Sequence, residues 1–377
     1  MAKYHKHSKS EIQDILREIV DPFEGGKLFV DKSIDQLKLS ESNIKVMLER
    51  AYPMGYAKKE IDNCIKTHLA EKLKISVEEI NLTLDTKSTI VAHSQNHAVK
   101  AIPNVANIIA ISSGKGGVGK STVAANLALS LKHQGASVGL LDADIYGPSQ
   151  PNIFNLNQKP EMQENMMLPI QGLGIELMSI GFMIDQETPM IWRGPMVTQA
   201  LEQMLRQTRW SELDYLILDL PPGTGDVQLT LAQKTPLAGS VVVTTPQDLA
   251  LLDVKKAINM FEKVEVPILG VVENMSSHIC SQCQHEEAIF GKGGGEKLAN
   301  EAELDFLGSL PLDIAIRKAI DAGLPTVAKV HESNEFSAKE QSITNRYHDI
   351  ALSMAIKLAS RKKDYRSLFP KIEIANT

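Results

Sequence analysis

The sequence predicts an α/β fold, in which helices cover a mostly parallel sheet and a small α+β unit precedes it. From Asn104 onward, short runs that are apolar on both faces alternate with helical patterns, as in sheets buried between helices. The 377 residues suffice for about two domains, at roughly 150 residues each. We expect these domains at 1–92 and 105–377, joined by a polar linker at 93–104.

The first unit combines helical and strand patterns. Apolar residues at helical spacing end at Asp21-Pro22, which stops the first helix. Residues 44–48 have the pattern of a strand, and residues 58–73 that of an amphipathic helix. Cys64 lies on this second helix, where an isolated cysteine is usually a small buried hydrophobe.

The apolar runs of the second unit are the strands of the predicted sheet. A helix from Lys120 to about His133 follows the first run, and residues 345–360 are consistent with a helix near the end. Because such sheets bind ligands at the carboxyl ends of their strands, we expect the motifs described next to meet at one edge. The predicted strands are 107–111, 137–141, 215–218, 240–243, 267–272 and 305–307.

A glycine-rich loop joins the first of these strands to its helix. Its residues fit the pattern G-x-x-x-x-G-K-[ST] with the required strand before it and helix after it. Glycines let the backbone turn so that its N–H groups face phosphates. We expect Lys120 to reach the β- and γ-phosphate oxygens and Ser121 to bind Mg²⁺. The predicted nucleotide-binding residues are Gly114, Lys115, Gly116, Gly117, Val118, Gly119, Lys120, Ser121 and Thr122.

Lys115 is a second lysine in this loop, and an ordinary phosphate-binding loop does not need it for its own nucleotide. In the deviant Walker A group, the corresponding lysine reaches across a dimer interface to the nucleotide of the partner. The sequence resembles that group here, and the resemblance implies a nucleotide-dependent dimer in which Lys115 and Lys120 are both catalytic.

Acidic residues end two of the predicted strands. We expect Asp142 and Asp144 to face the same way, because side chains alternate along a strand. A carboxylate there can hold a Mg²⁺-bound water or orient the attacking water. Asp219 ends an apolar strand as a Walker B acid does and would bind Mg²⁺, usually through water. The alternative for Asp142 and Asp144 is that they only cap the end of the strand.

Asn274 follows the strand at 267–272. Its carboxamide can pair with the edge of adenine, because it offers both a donor and an acceptor. An asparagine at a strand end is more often a turn former, so the residue alone leaves both interpretations open.

Cys280 and Cys283 form a C-x-x-C motif in a polar loop between His278 and His285. A redox dithiol usually opens a helix, which this loop does not. A structural zinc site needs four ligands, for which the histidines are candidates. An iron–sulfur cluster needs four thiolates, which two chains related by a two-fold axis can provide. The residues alone leave the three interpretations open.

Composition argues against several classes of partner. The net charge of −6 gives no global basic field for nucleic acid. We find no apolar run of about 18 residues, so no membrane span is expected, and the charged start lacks a signal region. Three cysteines are too few for a disulfide scaffold and fit a reducing cytoplasm. We therefore expect a cytoplasmic protein without nucleic-acid or membrane partners.

Taken together, these residues resemble the Mrp/ApbC iron–sulfur cluster carriers, within the MinD/ParA-like branch of P-loop ATPases. The resemblance covers about Val105 to at least Pro325. The matching segments are 112–121, 141–149, 192–196 (Trp192-Arg193-Gly194-Pro195-Met196), 219–226, 244–248, 272–276, Cys280-x-x-Cys283, 290–294 and 310–312.

The resemblance implies a SIMIBI-type, MinD-like P-loop NTPase fold and an ATP hydrolase. It implies a homodimer whose iron–sulfur cluster, of [4Fe–4S] type, is bridged by Cys280 and Cys283 of both chains. Clusters would come from an assembly scaffold and pass to apo iron–sulfur proteins. Asp144 would orient water, Asp219 would support Mg²⁺, and Asn274 would contact adenine.

The first unit is similar to the small assembly-factor domain of many such carriers. Ile19-Val20-Asp21-Pro22 fits the opening of that domain, but Ala51-Tyr52-Pro53 stands where many of them have a cysteine-proline pair. We therefore expect a docking role for this unit, or none.

Two rival functions keep the same fold. A spatial-organisation ATPase of the MinD/ParA kind predicts ATP-stimulated binding to DNA or membranes and gives the C-x-x-C motif no task. A zinc-stabilised ATPase changes only the metal.

Overall fold

The computed structural model describes residues 7–40, 43–93, 99–183, 194–280, 282–283, 285–333 and 335–361. The chain divides into two compact units, Met1–Ile90 and Val91–Thr377. His93 and Ile102, within the segment expected as a linker, are buried, and the main-chain N–H of His93 donates to Asn107 Oδ1 at 2.8 Å.

The described part of the first unit has one sheet with helices. Strand β1 pairs antiparallel with β2, and β2 pairs parallel with β3, with Ile44 opposite Leu82. The helix predicted at 58–73 is confirmed, and β2 contains the strand predicted at 44–48. The elements are α1 (Lys9–Glu18), α2 (Asp31–Asp35), β1 (Lys38–Leu39), β2 (Ile44–Arg50), α3 (Lys58–Leu73) and β3 (Leu82–Ser88).

The Asp21-Pro22 turn and its neighbours form a buried polar cluster in this unit. Asp21 accepts hydrogen bonds from the main chain of Phe23 and Glu24, which makes the turn, and pairs with Arg50 at 2.7 Å. Tyr52 is fully buried, and burial raises its pKa. Tyr52, in the segment Ala51-Tyr52-Pro53 considered above, is therefore part of the core of this unit.

In the described part of the second unit, eight strands form one sheet with the order β15-β12-β11-β4-β10-β5-β9-β8. Only β8 and β9 are antiparallel neighbours in it, so the predicted mostly parallel sheet is confirmed. The strands are β4 (Val105–Ser113), β5 (Val138–Asp142), β6 (Met162–Gln163), β7 (Met166–Met167), β8 (Ile170–Gly172), β9 (Ile175–Ser179), β10 (Leu213–Asp219), β11 (Leu237–Thr244), β12 (Ile268–Glu273), β13 (His278–Ile279), β14 (Glu286–Glu287) and β15 (Phe306–Ser309).

Helices cover both faces of this sheet. Helix α4 is buried along most of its length because it packs between the sheet and two later helices, α11 and α12. None of the helices in the described ranges is long and apolar enough to cross a membrane. The helices are α4 (Lys120–His133), α5 (Gln150–Ile153), α6 (Gly194–Gln207), α7 (Asp226–Lys234), α8 (Asp248–Lys263), α9 (Gly294–Glu301), α10 (Ile314–Asp321), α11 (Thr326–Glu332) and α12 (Ala338–Ala359).

The strand register brings the predicted motifs to one edge. Asp219 at the end of β10 is opposite Asp142 at the end of β5 and opposite Ile111 in β4. On the other side of β4, Thr244 at the end of β11 is opposite Glu273 at the end of β12. The carboxyl ends of these parallel strands therefore form a common edge, where such sheets bind ligands.

Candidate functional site: a phosphate-binding loop and a cysteine hairpin

The loop between β4 and α4 has the backbone that its glycines permit. Gly117 and Gly119 have φ values of +81° and +82°, which disfavour other residues. A Cβ on Gly119 would lie 2.3 Å from Asn274 Nδ2, and a Cβ on Gly114 would lie 2.3 Å from the main chain of Asp253. The loop is thus held between α8 and the residue after β12, with no room for side chains at these two glycines.

A cavity of about 600 Å³ opens in front of this loop, within the usual size of a ligand site. It lies at the N-terminus of the 14-residue helix α4, which favours anions. The predicted residues that line it are Gly116, Gly117, Gly119, Lys120, Ser121, Thr122 and Asp144, together with Ser113, Gly147, Ser149, Asn152, Ile153, Pro222, Ile320 and Asp321.

Lys120 and Asp219 form a buried ion pair behind this cavity. The other oxygen of Asp219 accepts a hydrogen bond of 2.9 Å from the side-chain amide of Gln150, which also donates to the carbonyl of Ser121 at 3.1 Å. Lys120 Nζ lies 3.2 Å from Ser121 Oγ. The ion pair and Gln150 therefore fix the first turn of α4 against β10. Nothing in the sequence around Gln150 pointed to this role.

Asp142 and Asp144 have different surroundings, although both are close enough to Lys120 and Asp219 for those charges to affect their pKa values. Strand β5 ends at Asp142, and the alternation of side chains does not extend past that residue. Asp142 is fully buried and accepts hydrogen bonds from the main chain of Ser149 and Gln150 and from Ser179 Oγ, at 3.0 to 3.1 Å. Asp144 lines the cavity.

Burial dominates the electrostatics of both carboxylates. It raises the pKa of Asp142 to about 7, with the nearby charge of Asp219 adding to the rise. Burial also raises the pKa of Asp144, against the opposing effect of Lys120. Asp142 thus serves as an acceptor that holds the loop between β5 and α5, while Asp144 is the acid that faces the cavity.

Lys115 leaves the phosphate-binding loop in another direction. Its Nζ donates to Gln247 Oε1 at 3.2 Å, and its carbonyl accepts from Ser113 Oγ at 2.9 Å. The side chain is half-buried at the start of α8. Within one chain, the lysine expected to cross a dimer interface therefore has an intramolecular partner that the sequence did not indicate.

Asn274 lies beneath the phosphate-binding loop. Its Nδ2 donates to the carbonyl of Val118 at 2.8 Å, and its main-chain N–H donates to the carbonyl of Thr244 at 2.7 Å. The side chain is buried. The contact with adenine stays a prediction, and the structure adds a second role, which is to hold the loop in place.

Cys280 and Cys283 lie between the paired strands β13 and β14, so they belong to the tip of a β-hairpin. The main-chain N–H of Cys280 donates to the carbonyl of His285 at 2.9 Å. Cys280 is half-buried and Cys283 is exposed, and both are free thiols. Hydrogen bonds from Cys283 and from the main chain of Gln282 lower the pKa of Cys280, which favours its thiolate.

The histidine before the motif has another partner. His278 Nδ1 lies 3.0 Å from the carbonyl of Leu312, so this nitrogen carries the proton. Within the described ranges, no three histidine, cysteine or acidic residues group as ligands of a metal ion. Arg193, in a segment that matches the resembled family, lies outside the described residues.

A family model described as ParA, the NUBPL iron-transfer P-loop NTPases, matches residues 104–347, which include both the phosphate-binding loop and the cysteine hairpin. The chain belongs to this family. The resemblance found in the sequence is thereby confirmed.

Curated relatives support the assignment to the NUBPL iron-transfer family. The chain is 44% identical over 331 residues to the iron–sulfur cluster carrier protein of Haemophilus influenzae, covering 87% of this chain and 88% of that protein. It is 57% identical over 247 residues to the carrier of the same name from Escherichia coli K12, covering 65% and 67%. The iron–sulfur cluster transfer protein NUBPL of Mus musculus is 50% identical over 242 residues, covering 63% and 76%.

A solved structure supports the nucleotide site of this family member. A nucleotide-binding protein from Archaeoglobus fulgidus, in complex with ADP, is 40% identical, with a TM-score of 0.53. The match covers 58% of this chain and 87% of that one. As a P-loop NTPase of the NUBPL family, the chain thus has a nucleotide cavity at one edge of its sheet and a thiol pair on a hairpin that begins at the same edge.

Proposed function

We propose that this chain binds an iron–sulfur cluster as its cargo and transfers it to apoproteins in a cycle of ATP binding and hydrolysis. One observation carries the proposal: the two thiols of Cys280 and Cys283 lie on a hairpin that starts four residues after Asn274, which itself holds the phosphate-binding loop. The names of the curated relatives support the same cargo.

The thiol pair suits a cluster shared by two copies of the chain. One hairpin supplies two thiolates, and a [4Fe–4S] cluster is held by four. In an isologous homodimer each residue occurs twice, so Cys280 and Cys283 of both copies complete the set. The lowered pKa of Cys280 favours the thiolate that ligates iron, and the exposure of Cys283 leaves the cargo accessible to a recipient.

The cavity in front of α4 fits ATP with Mg²⁺. Phosphate oxygens would compete with Asp219 for the ammonium of Lys120, and the N–H groups of the glycine-rich turn would donate to the same phosphates. Ser121 and, through water, Asp219 would hold Mg²⁺, which neutralises charge on the phosphates. Asp142 would support this site indirectly, because it accepts a hydrogen bond from the main chain of Ser149 and so holds the loop that carries this residue.

The remaining predicted residues complete the proposed cycle. Asp144, which lines the cavity, would orient the attacking water. Lys115 would leave Gln247 and reach the nucleotide of the partner copy, which makes ATP a link between the two chains. Asn274 stays the proposed contact for adenine.

Partners follow from the cargo. We propose that an assembly scaffold supplies the cluster, that apo iron–sulfur proteins receive it, and that the first unit acts in docking. Free thiols and an oxygen-sensitive cargo suit the reducing cytoplasm.

Cluster transfer to an apo-enzyme that needs a [4Fe–4S] cluster tests the proposal. The reconstituted chain with ATP and Mg²⁺ should restore the activity of this enzyme in the presence of an iron chelator. A Cys64→Ser variant should do the same, and a Cys283→Ala variant should not. Restoration by Cys283→Ala, or only by free iron and sulfide, would contradict the proposal. ATP-stimulated pelleting with DNA or liposomes would instead support the spatial-organisation alternative.

A further inference from the structure

The segment between the phosphate-binding loop and the cysteine hairpin is held by hydrogen bonds along its length. At its start, Asn274 is bonded to Val118 on one side and to Thr244 on the other. Its Nδ2 also occupies the space beside Gly119 that a Cβ would need. A displacement of the loop at Val118 and Gly119 must therefore displace Asn274 as well, because close-packed groups transmit such shifts.

Past Asn274, the segment is clamped onto residues 310–312. Ser276 donates to the carbonyl of Leu310 with its main-chain N–H at 2.9 Å and with Oγ at 3.0 Å. The main-chain N–H of Leu312 donates to the carbonyl of Ser277 at 2.7 Å. His278 Nδ1 then reaches the carbonyl of Leu312 at 3.0 Å. Among residues 276–278, the ring of His278 makes the side-chain contact nearest in sequence to Cys280. We call residues 276–278 with 310–312 the stem clamp.

A second set of contacts connects the hairpin to the nucleotide cavity through α10, which follows the stem clamp in the chain. Asp313 caps α10 by accepting a hydrogen bond from the main-chain N–H of Ala315. Its carboxylate also pairs with Lys339. The Nζ atom of Lys339 lies 3.4 Å from the carbonyl of Ile279 in the hairpin. At the other end of α10, Ile320 and Asp321 line the cavity. The hairpin is therefore tied to the cavity both through Asn274 and through α10.

We infer that the stem clamp relays the state of the nucleotide to the two thiols, and that His278 is a positioning residue in this relay. The inference rests on the proposed function, because it assigns a regulator to the same thiols. ATP and ADP differ at the phosphate that faces the loop, so they bias the position of Val118 and Asn274 differently. Two ligands shift an equilibrium only through such differential contacts. While the hydrogen bonds of the stem clamp are intact, the difference in the position of Asn274 is passed on to the hairpin. It changes the exposure of Cys280 and Cys283.

Alkylation of the metal-free chain by iodoacetamide measures this relay without any cluster. A Cys64→Ser background leaves Cys280 and Cys283 as the only cysteines. With saturating Mg²⁺-ATP and Mg²⁺-ADP, the two alkylation rates should differ by about fivefold or more, the lower end of typical coupling between sites. In a His278→Ala variant, which leaves only the path through Lys339, the ratio should fall clearly towards one, while the affinity for each nucleotide changes by less than about threefold.

A matched His278→Asn variant separates positioning from ligation. Its Nδ2 can donate to Leu312 as Nδ1 does, so the nucleotide dependence should be retained. If His278→Ala keeps the full ratio, or if the parent chain shows none, the relay is wrong whatever the cargo. If both variants lose iron on reconstitution while the ratio persists, His278 is a ligand and the inference is overturned. A clear ratio in a chain that binds no cluster would support the relay and refute the proposed function.

Discussion

Lys120 and Asp219 form an ion pair in which the lysine side chain is 6% exposed and the aspartate is fully buried. The pair joins the first turn of α4 to the end of β10, and Gln150 satisfies the second oxygen of the carboxylate. Removing one partner of such a pair leaves an uncompensated charge in the interior. The same two residues are the proposed ligands of phosphate and Mg²⁺, so stability and activity depend on one contact.

A Lys120→Ala substitution should therefore affect both stability and activity. We expect the free energy of unfolding to fall by about 3 kcal/mol or more, because Asp219 loses its counter-charge, and ATP hydrolysis to be abolished. The double variant Lys120→Ala/Asp219→Asn should recover part of the stability but none of the hydrolysis. Urea unfolding with a phosphate-release assay measures both. A single variant as stable as the parent chain would show that the pair contributes little.

A Lys115→Ala substitution should block dimerisation by ATP while each chain still binds nucleotide. Lys115 has one polar side-chain contact in its own chain, Gln247, in the described structure. Gln247→Ala is therefore the matched control, since it removes this contact and keeps the charge. Sedimentation with ATP should give dimers for Gln247→Ala and monomers for Lys115→Ala, with affinity for ATP reduced by less than about tenfold, or about 1.4 kcal/mol. Monomers for both would place the role of Lys115 within its own chain.

Alanine should be tolerated less well at Gly119 than at Gly117. Both have positive φ, which costs about 1–2 kcal/mol for another residue. At Gly117 nothing lies within 4 Å of an added Cβ, whereas at Gly119 the Cβ would meet Asn274 Nδ2. Displacing that amide leaves the carbonyl of Val118 without its donor, which adds about 1–3 kcal/mol. Urea unfolding of the two variants compares these costs, and equal losses would contradict the packing described here.

Three histidines make the second unit sensitive to acid. His133 in α4 stacks on His331 in α11 with ring centroids 4.0 Å apart, and His331 Nε2 lies 2.8 Å from Nε2 of His348 in α12. Burial, and then the neighbouring histidine, lowers the pKa of His133 to about 3 and of His348 to about 4. Below the ordinary pKa of 6.5 the unfolded chain binds more protons than the folded chain, so stability is complete above pH 6.5 and falls as the pH drops towards 4.

A His133→Phe substitution tests this acid sensitivity, because it keeps a stacked ring and removes the proton site. Between about pH 7.5 and about pH 5, the parent chain should lose about 1 kcal/mol more unfolding free energy than the variant, after allowance for the partial exposure of the ring. Urea unfolding at both pH values gives the difference. The same loss in both proteins would mean that His133 does not contribute to it.

The sequence predicted the parts of the fold that local patterns determine. The glycine-rich loop and the helix Lys120–His133 follow from a motif and from apolar periodicity, and both are present. Helix α12 begins at Ala338, earlier than the predicted 345, because Ser337 and Glu340 form a capping box. The S-x-x-E pattern of that box is visible in the sequence and could have placed the start correctly.

The contacts that complete the site were not predictable from local patterns. Gln150 reaches Asp219 across 69 positions, and Gln247 reaches Lys115 across 132. Neither contact has a spacing rule, because it depends on which strand ends become neighbours in the sheet. Asp142 shows the same limit, since whether a carboxylate faces the cavity or the interior depends on where the strand ends.

Anaerobic reconstitution with iron and sulfide shows whether Cys280 and Cys283 hold a cluster shared by two chains. Iron, sulfide and zinc are measured per dimer, together with the absorption spectrum. The parent chain and a Cys64→Ser control should contain about four irons and about four sulfides per dimer, and Cys280→Ala and Cys283→Ala should lose both. Zinc without sulfide, or a cluster that persists in both cysteine variants, would show that Cys280 and Cys283 do not ligate an iron–sulfur cluster.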